Sequence, residues 1–143
     1  MEKETILEQF EDYPVIAAVK DEDGLKKCLE SGAEIQIVFV LYGDLCNIGD
    51  IVDRLKEGGK TVIIHLDLIS GLGNREIVVD YIKNTTKADG IISTKSTLIK
   101  RAKELDFFAV MRFFMLDSMV YENVRKQIEN VKPDMIEIIP GAM

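Results

Sequence analysis

Six short apolar runs, each rich in valine, isoleucine or phenylalanine, recur along the chain. Between them lie stretches in which apolar residues return every three to four positions. Buried strands produce the first pattern and amphipathic helices the second. The pattern predicts strands at 14–19 (PVIAAV), 35–41 (IQIVFVL), 61–67 (TVIIHLD), 89–93 (DGIIS), 107–113 (FFAVMRF) and 133–139 (PDMIEII). It predicts helices over 3–11, 21–31, 47–58, 74–87, 95–105 and 117–131. Gly32 and the Gly58-Gly59 pair follow helix ends, and Asp21, Asn47, Asn74 and Asp117 stand where an N-capping side chain belongs.

Strand-then-helix alternation implies a parallel α/β sheet covered by helices, because parallel neighbours need a crossover between them. Strands that are apolar throughout, rather than at every second position, fit burial on both faces. Two architectures satisfy this: an open doubly wound sheet, or part of a (β/α)8 barrel. Six strands cannot complete an eight-stranded barrel, and on pattern alone the open sheet is slightly favoured. The 143 residues read as one domain, residues 1–143, with no linker or low-complexity segment.

Composition narrows the class. Apolar residues make up 47% and charged residues 30%, a globular mixture, and no apolar run reaches membrane-spanning length. The acidic, amphipathic start is unlike a signal peptide, so the expected location is cytoplasmic. A net charge of −7 argues against coating a polyanion with the whole surface, so contact with nucleic acid needs a local patch. Cys28 and Cys46 have no metal-binding spacing and read as reduced packing residues.

The apolar strands are interrupted near their C-terminal ends by groups that a buried sheet should not tolerate unpaired. These are Lys20 after strand one, His65 and Asp67 on strand three, Ser93 and Thr94 at the end of strand four, Arg112 on strand five and Glu137 on strand six. In parallel α/β folds those ends share one edge, the ligand-binding edge. Each group also has a purely structural explanation. Arg112 and Glu137 can neutralise each other, His65 can be a satisfied core residue, Asp67 can bind loop amides, Ser93 and Thr94 can cap a helix, and Lys20 can be a solvated strand end. Arg112, Lys20 and Lys95 together give a positive pocket on an acidic protein, suited to a small phosphorylated or carboxylated ligand.

No dinucleotide fingerprint, phosphate-binding loop, nucleophile elbow or zinc-protease helix occurs. His65 with Asp67, Asp44 and Glu137 matches no specific metal pattern, and no cofactor is expected. Residues 91–103 hold Lys95, Lys100, Arg101 and Lys103 without an acidic residue. They are the best local candidates for RNA phosphate contacts.

Four stretches in order carry a family resemblance: HLDLISG at 65–71, GIISTKS at 90–96, MRFFMLD at 111–117 and KPDMIEIIPG at 132–141. They resemble the bacterial glycerol-3-phosphate-responsive antiterminators, regulators of glycerol-uptake operons. The resemblance implies a TIM-type (β/α)8 barrel, apparently truncated or incomplete after strand six, and so reverses the preference for an open sheet. It implies a regulator rather than an enzyme, with glycerol 3-phosphate as effector and leader mRNA as partner. Its histidine–aspartate motif falls on His65 and Asp67, its Ile-Ser-Thr turn on Ser93 and Thr94, and its strand-five arginine on Arg112. Its Glu-x-x-Pro-Gly segment falls on Glu137, Pro140 and Gly141. Members continue through further β/α units, and residue 111 is Met where a polar residue is expected. A homo-oligomer is compatible with these residues. The competing expectation is a barrel enzyme using Asp67, His65 or Glu137 for acid/base work on a phosphorylated substrate.

Overall fold

The computed structural model describes residues 2–115 and 118–140. Its strands are β1 (Ala17–Val19), β2 (Ile37–Val40), β3 (Thr61–His65), β4 (Gly90–Ser93), β5 (Phe108–Met115) and β6 (Met135–Pro140). Its helices are α1 (Lys3–Asp12), α2 (Glu22–Glu30), α3 (Ile48–Glu57), α4 (Ile77–Thr85), α5 (Ser96–Glu104) and α6 (Ser118–Val131). All six strands are parallel and form one sheet in chain order, β1-β2-β3-β4-β5-β6. A doubly wound sheet reverses direction at a switch point; this one never does. Consistently handed crossovers in sequential order keep the crossover helices on one face, and the twisted sheet curls into a half-barrel.

The alternation of side chains along the strands sorts the core into two layers. Val38, Val40, Val62, Ile64, Ile91, Ala109 and Met111 face outward and pack against α2 to α6. Ile37, Phe39, Ile63, Ile92, Phe108 and Val110 face inward, and among the described residues the one helix they meet there is α1, through Ile6 and Phe10. Ile6 is fully buried, which contributes roughly 1.5–3 kcal/mol. Helix α1 therefore fills the lower part of the concave face, below the strand C-terminal ends. On the outer face of the last strand, Ile136 and Ile138 are 39% and 45% exposed.

Buried charges pin the register. Asp89 precedes β4, its carboxylate accepts from the Val62 amide (2.8 Å) and its own amide donates to the Val62 carbonyl. Lys56 neutralises it at 2.8 Å. Asp134 repeats the arrangement before β6: it accepts from the Ala109 amide at 2.9 Å and pairs with Lys103 and Lys3. Lys60, 3% exposed, donates to the carbonyls of Gly32 and Ile35 below the sheet.

Two boundary differences matter. Strand one is shorter than its apolar run because Pro14 has no amide to donate and Val15 lies exposed. Strand three ends at His65, and Leu66–Leu68 turn as a 3-10 segment, so Asp67 is not a strand residue. Of the expected caps, Asp21 accepts from the Gly24 amide at 2.7 Å. Asn47 instead accepts from the Asp44 amide, α4 starts after Glu76 rather than at Asn74, and Asp117 lies outside the described residues.

Candidate functional site

Strand register sets the site. His65 pairs with Ile92, Ile92 with Val110, and Val110 with Met135, so these four form one row across β3 to β6. Two residues further along, Arg112 pairs with Glu137. Ile63 and Val110 point inward, so by the two-residue period His65, Arg112 and Glu137 point inward as well. The result is an ionic layer lying directly above an apolar one. Arg112 Nε donates to Glu137 Oε1 at 2.5 Å, with both side chains partly exposed.

Asp67 is held from the neighbouring strand end. Its Oδ1 accepts from the Ser93 hydroxyl (2.8 Å), and its Oδ2 accepts from the Thr94 amide and hydroxyl (both 2.9 Å). Lys95 Nζ stands 3.6 Å away. Burial pushes the Asp67 carboxyl upward, but the Thr94 amide, the two hydroxyls and the lysine outweigh it and hold the group below its ordinary 3.8. Ser93 is fully buried, and its oxygen also accepts from the Lys95 amide at 3.0 Å. Ser93 and Thr94 thus act on Asp67, tying the ends of β3 and β4 together.

His65 is 2% exposed, and neither ring nitrogen has a hydrogen-bond partner among the described residues. Burial, and then the Arg112 charge, hold the imidazole below its ordinary 6.5 against the opposing pull of Asp67 and Glu137. It is therefore neutral at pH 7, with one nitrogen able to donate and the other to accept. A buried imidazole without partners is costly as a structural element alone, and it sits one row below the ionic pair. Lys20 is exposed after β1 and has no ion-pair partner among the described residues.

The basic stretch on α5 looks different once folded. Arg101 donates to Asp80 at 2.7 and 3.1 Å and to Glu104 at 2.7 Å. Lys103 pairs with Asp134 and Lys95 with Asp67, which leaves Lys100 exposed and unpaired among the described residues. The local run of charge is largely neutralised by acids that are distant in sequence.

An open cleft of about 400 Å³ lies beside this layer rather than in it, lined by Asn74, Arg75, Glu76, Ile77 and Thr97. The sequence pattern marks Asn74 only as a helix cap and does not single out Arg75. The signal for this loop was Gly71 and Gly73, both at positive φ, just before them. The cleft offers one exposed cation beside one carboxylate, whereas the layer on the concave face gathers a partly buried ion pair above a buried imidazole. The layer is therefore the stronger candidate. Among the described residues, no three metal-ligating side chains converge.

Comparison with known proteins agrees with this architecture. The profile of the family described as glycerol-3-phosphate responsive antiterminator matches residues 15–143. YgcP of Escherichia coli strain K12, a relative without an assigned function, is 44% identical over 138 residues, covering 96% of this chain and 71% of that protein. The crystal structure of a glycerol uptake operon antiterminator regulatory protein from Listeria monocytogenes superposes with a TM-score of 0.82 at 33% identity. That match covers 88% of this chain and 67% of the other. A glycerol uptake operon antiterminator-related protein from Thermotoga maritima gives 0.78 at 37% identity, over 89% and 70% of the two chains. The chain spans about 70% of the length of these relatives and belongs to the glycerol-3-phosphate responsive antiterminator family.

Proposed function

We propose that this chain senses glycerol 3-phosphate at the ionic layer and that effector binding controls antitermination on the leader mRNA of glycerol-uptake operons. The observation that carries the reading is an inward-facing arginine–glutamate pair above a buried, unpartnered histidine, in a chain of this family. Arg112 and Lys20 would meet the phosphate, a role that suits the arginine fork. Glu137 and Asp67 would accept from the glycerol hydroxyls, while Ser93 and Thr94 fix the Asp67 carboxylate. Residues 1–143 would form one domain. Sequential strand order and helices on the outer face support closure into an eight-stranded barrel with further β/α units. Binding would shift the populations of the rim loops and so change RNA contact. A regulator of RNA works in the cytoplasm, and no helix among the described residues is long and apolar enough to cross a membrane.

The acid/base enzyme reading is disfavoured at Asp67, because Ser93, Thr94 and Lys95 hold its carboxyl below its ordinary pKa and make it a weak base at neutral pH. Calorimetry with sn-glycerol 3-phosphate tests the sensor reading. Binding should be measurable at millimolar concentration or below, and Arg112→Gln should weaken it at least about tenfold. Absence of binding heat at millimolar ligand overturns it. For RNA, Lys100→Gln should reduce the salt dependence of a leader-RNA shift by about one unit of slope. Arg101→Gln, which removes a cation already neutralised by Asp80, should change it less.

A further inference from the structure

We propose that His65 takes up a proton when an anion fills the pocket, so that effector occupancy depends on pH through this one side chain. The inference rests on the ligand reading above. Three charged groups face the imidazole: Arg112 from β5, Glu137 from β6 and Asp67 from the turn after β3. The flanking strands β2 and β4 (IVFV and GIIS) contain no ionisable residue. In the empty pocket the ring stays neutral, because burial and the Arg112 cation both oppose a second positive charge.

A phosphate dianion beside Arg112 reverses that balance. It cancels the repulsion from the guanidinium and leaves the two carboxylates and the ligand all favouring imidazolium. It also changes the hydrogen bonding. Neutral imidazole offers one donor and one acceptor, whereas phosphate and carboxylate oxygens are acceptors only. The imidazolium, with two donors, satisfies both of the ring nitrogens, which lack partners among the described residues. The proton comes from solvent and returns to it when the ligand leaves.

The protein has a single histidine, so its titration can be followed without assignment in the wild-type chain. The test is an NMR titration of His65 in the free protein and with saturating sn-glycerol 3-phosphate, inorganic phosphate, or glycerol as the neutral control. Ligand binding is measured in parallel by calorimetry. The midpoint should lie below 6.5 in the free protein. Either phosphate compound should raise it by about one pH unit or more, and glycerol should leave it in place. Affinity should fall with rising pH more steeply in wild type than in His65→Gln, by up to tenfold per pH unit. Binding heat with an unmoved or lowered midpoint overturns the proposal and leaves the ligand site standing. An equal shift with glycerol also overturns it, since the cause would then not be charge. No binding heat for either phosphate compound overturns the proposal and the site together.

Discussion

Replacing Asp67 should unfasten β3 from β4, and the size of the effect follows from its contacts. The carboxylate receives three charge-assisted hydrogen bonds, two from hydroxyls and one from a backbone amide, plus a lysine at 3.6 Å. Bonds of this kind contribute about 1.5–3 kcal/mol each, but they are not additive within one cluster. Water can also reach part of the carboxylate, so Asp67→Ala should cost about 3 kcal/mol in all rather than the full sum. An entropy of unfolding near 2.1 cal/mol/K per residue gives about 0.3 kcal/mol/K for a chain of 143 residues. The loss then lowers Tm by about 10 °C. Ser93→Ala removes one of the three bonds to Asp67 and the acceptor of the Lys95 amide, and should cost about 2–3 kcal/mol; the double variant should fall short of the sum by about 1 kcal/mol. The assay is urea unfolding followed by circular dichroism, with thermal melts alongside. Acid supplies an internal check. The folded Asp67 pKa lies below 3.8, so its stabilisation is present above that value and is lost as pH falls through the folded pKa. The gap between wild type and variant should therefore be constant above about pH 5 and narrow in strong acid. A Tm change under about 2 °C for Asp67→Ala would refute the reasoning.

Three further outcomes follow from the packing. His65 binds its proton less readily when folded than when unfolded. Its contribution should therefore be intact above pH 6.5 and decline as pH drops below it; urea midpoints for wild type should fall faster over that range than for His65→Gln. Gly90→Ala should destabilise the protein by more than about 2 kcal/mol or abolish soluble expression, because a Cβ there would collide with the Phe108 carbonyl oxygen on β5. Lys60→Met should cost about 2–3 kcal/mol in urea unfolding, since it leaves the carbonyls of Gly32 and Ile35 without the buried ammonium that serves both.

The strands and helices were legible because burial writes itself into sequence as periodicity. Ile37 to Val40 and Val62 to Ile64 are apolar at every position, as only a strand covered on both faces requires. The boundaries that failed were set by local hydrogen bonding. Pro14 withholds an amide, and the Leu66–Leu68 turn removes Asp67 from the strand on which alternation would have placed it beside His65. The candidate site was partly legible. His65, Arg112 and Glu137 stood out as ionisable groups in apolar runs, and register brings Arg112 and Glu137 into contact. Nothing in the order of residues announced that Ser93 and Thr94 serve Asp67, or that Asn74 and Arg75 line a cleft.

By itself, then, the sequence determined which segments are strands and helices, and which side chains are too polar for their surroundings, because both depend on near neighbours in the chain. Tertiary structure alone decided the order of the strands, the face on which α1 lies, and the partners of each charge. Asp80 and Asp134 neutralise Arg101 and Lys103 from 21 and 31 residues away, so a patch that is basic in sequence is nearly balanced in space. Coulomb energy depends on distance through the folded molecule rather than on separation along the chain, and only the fold sets that distance.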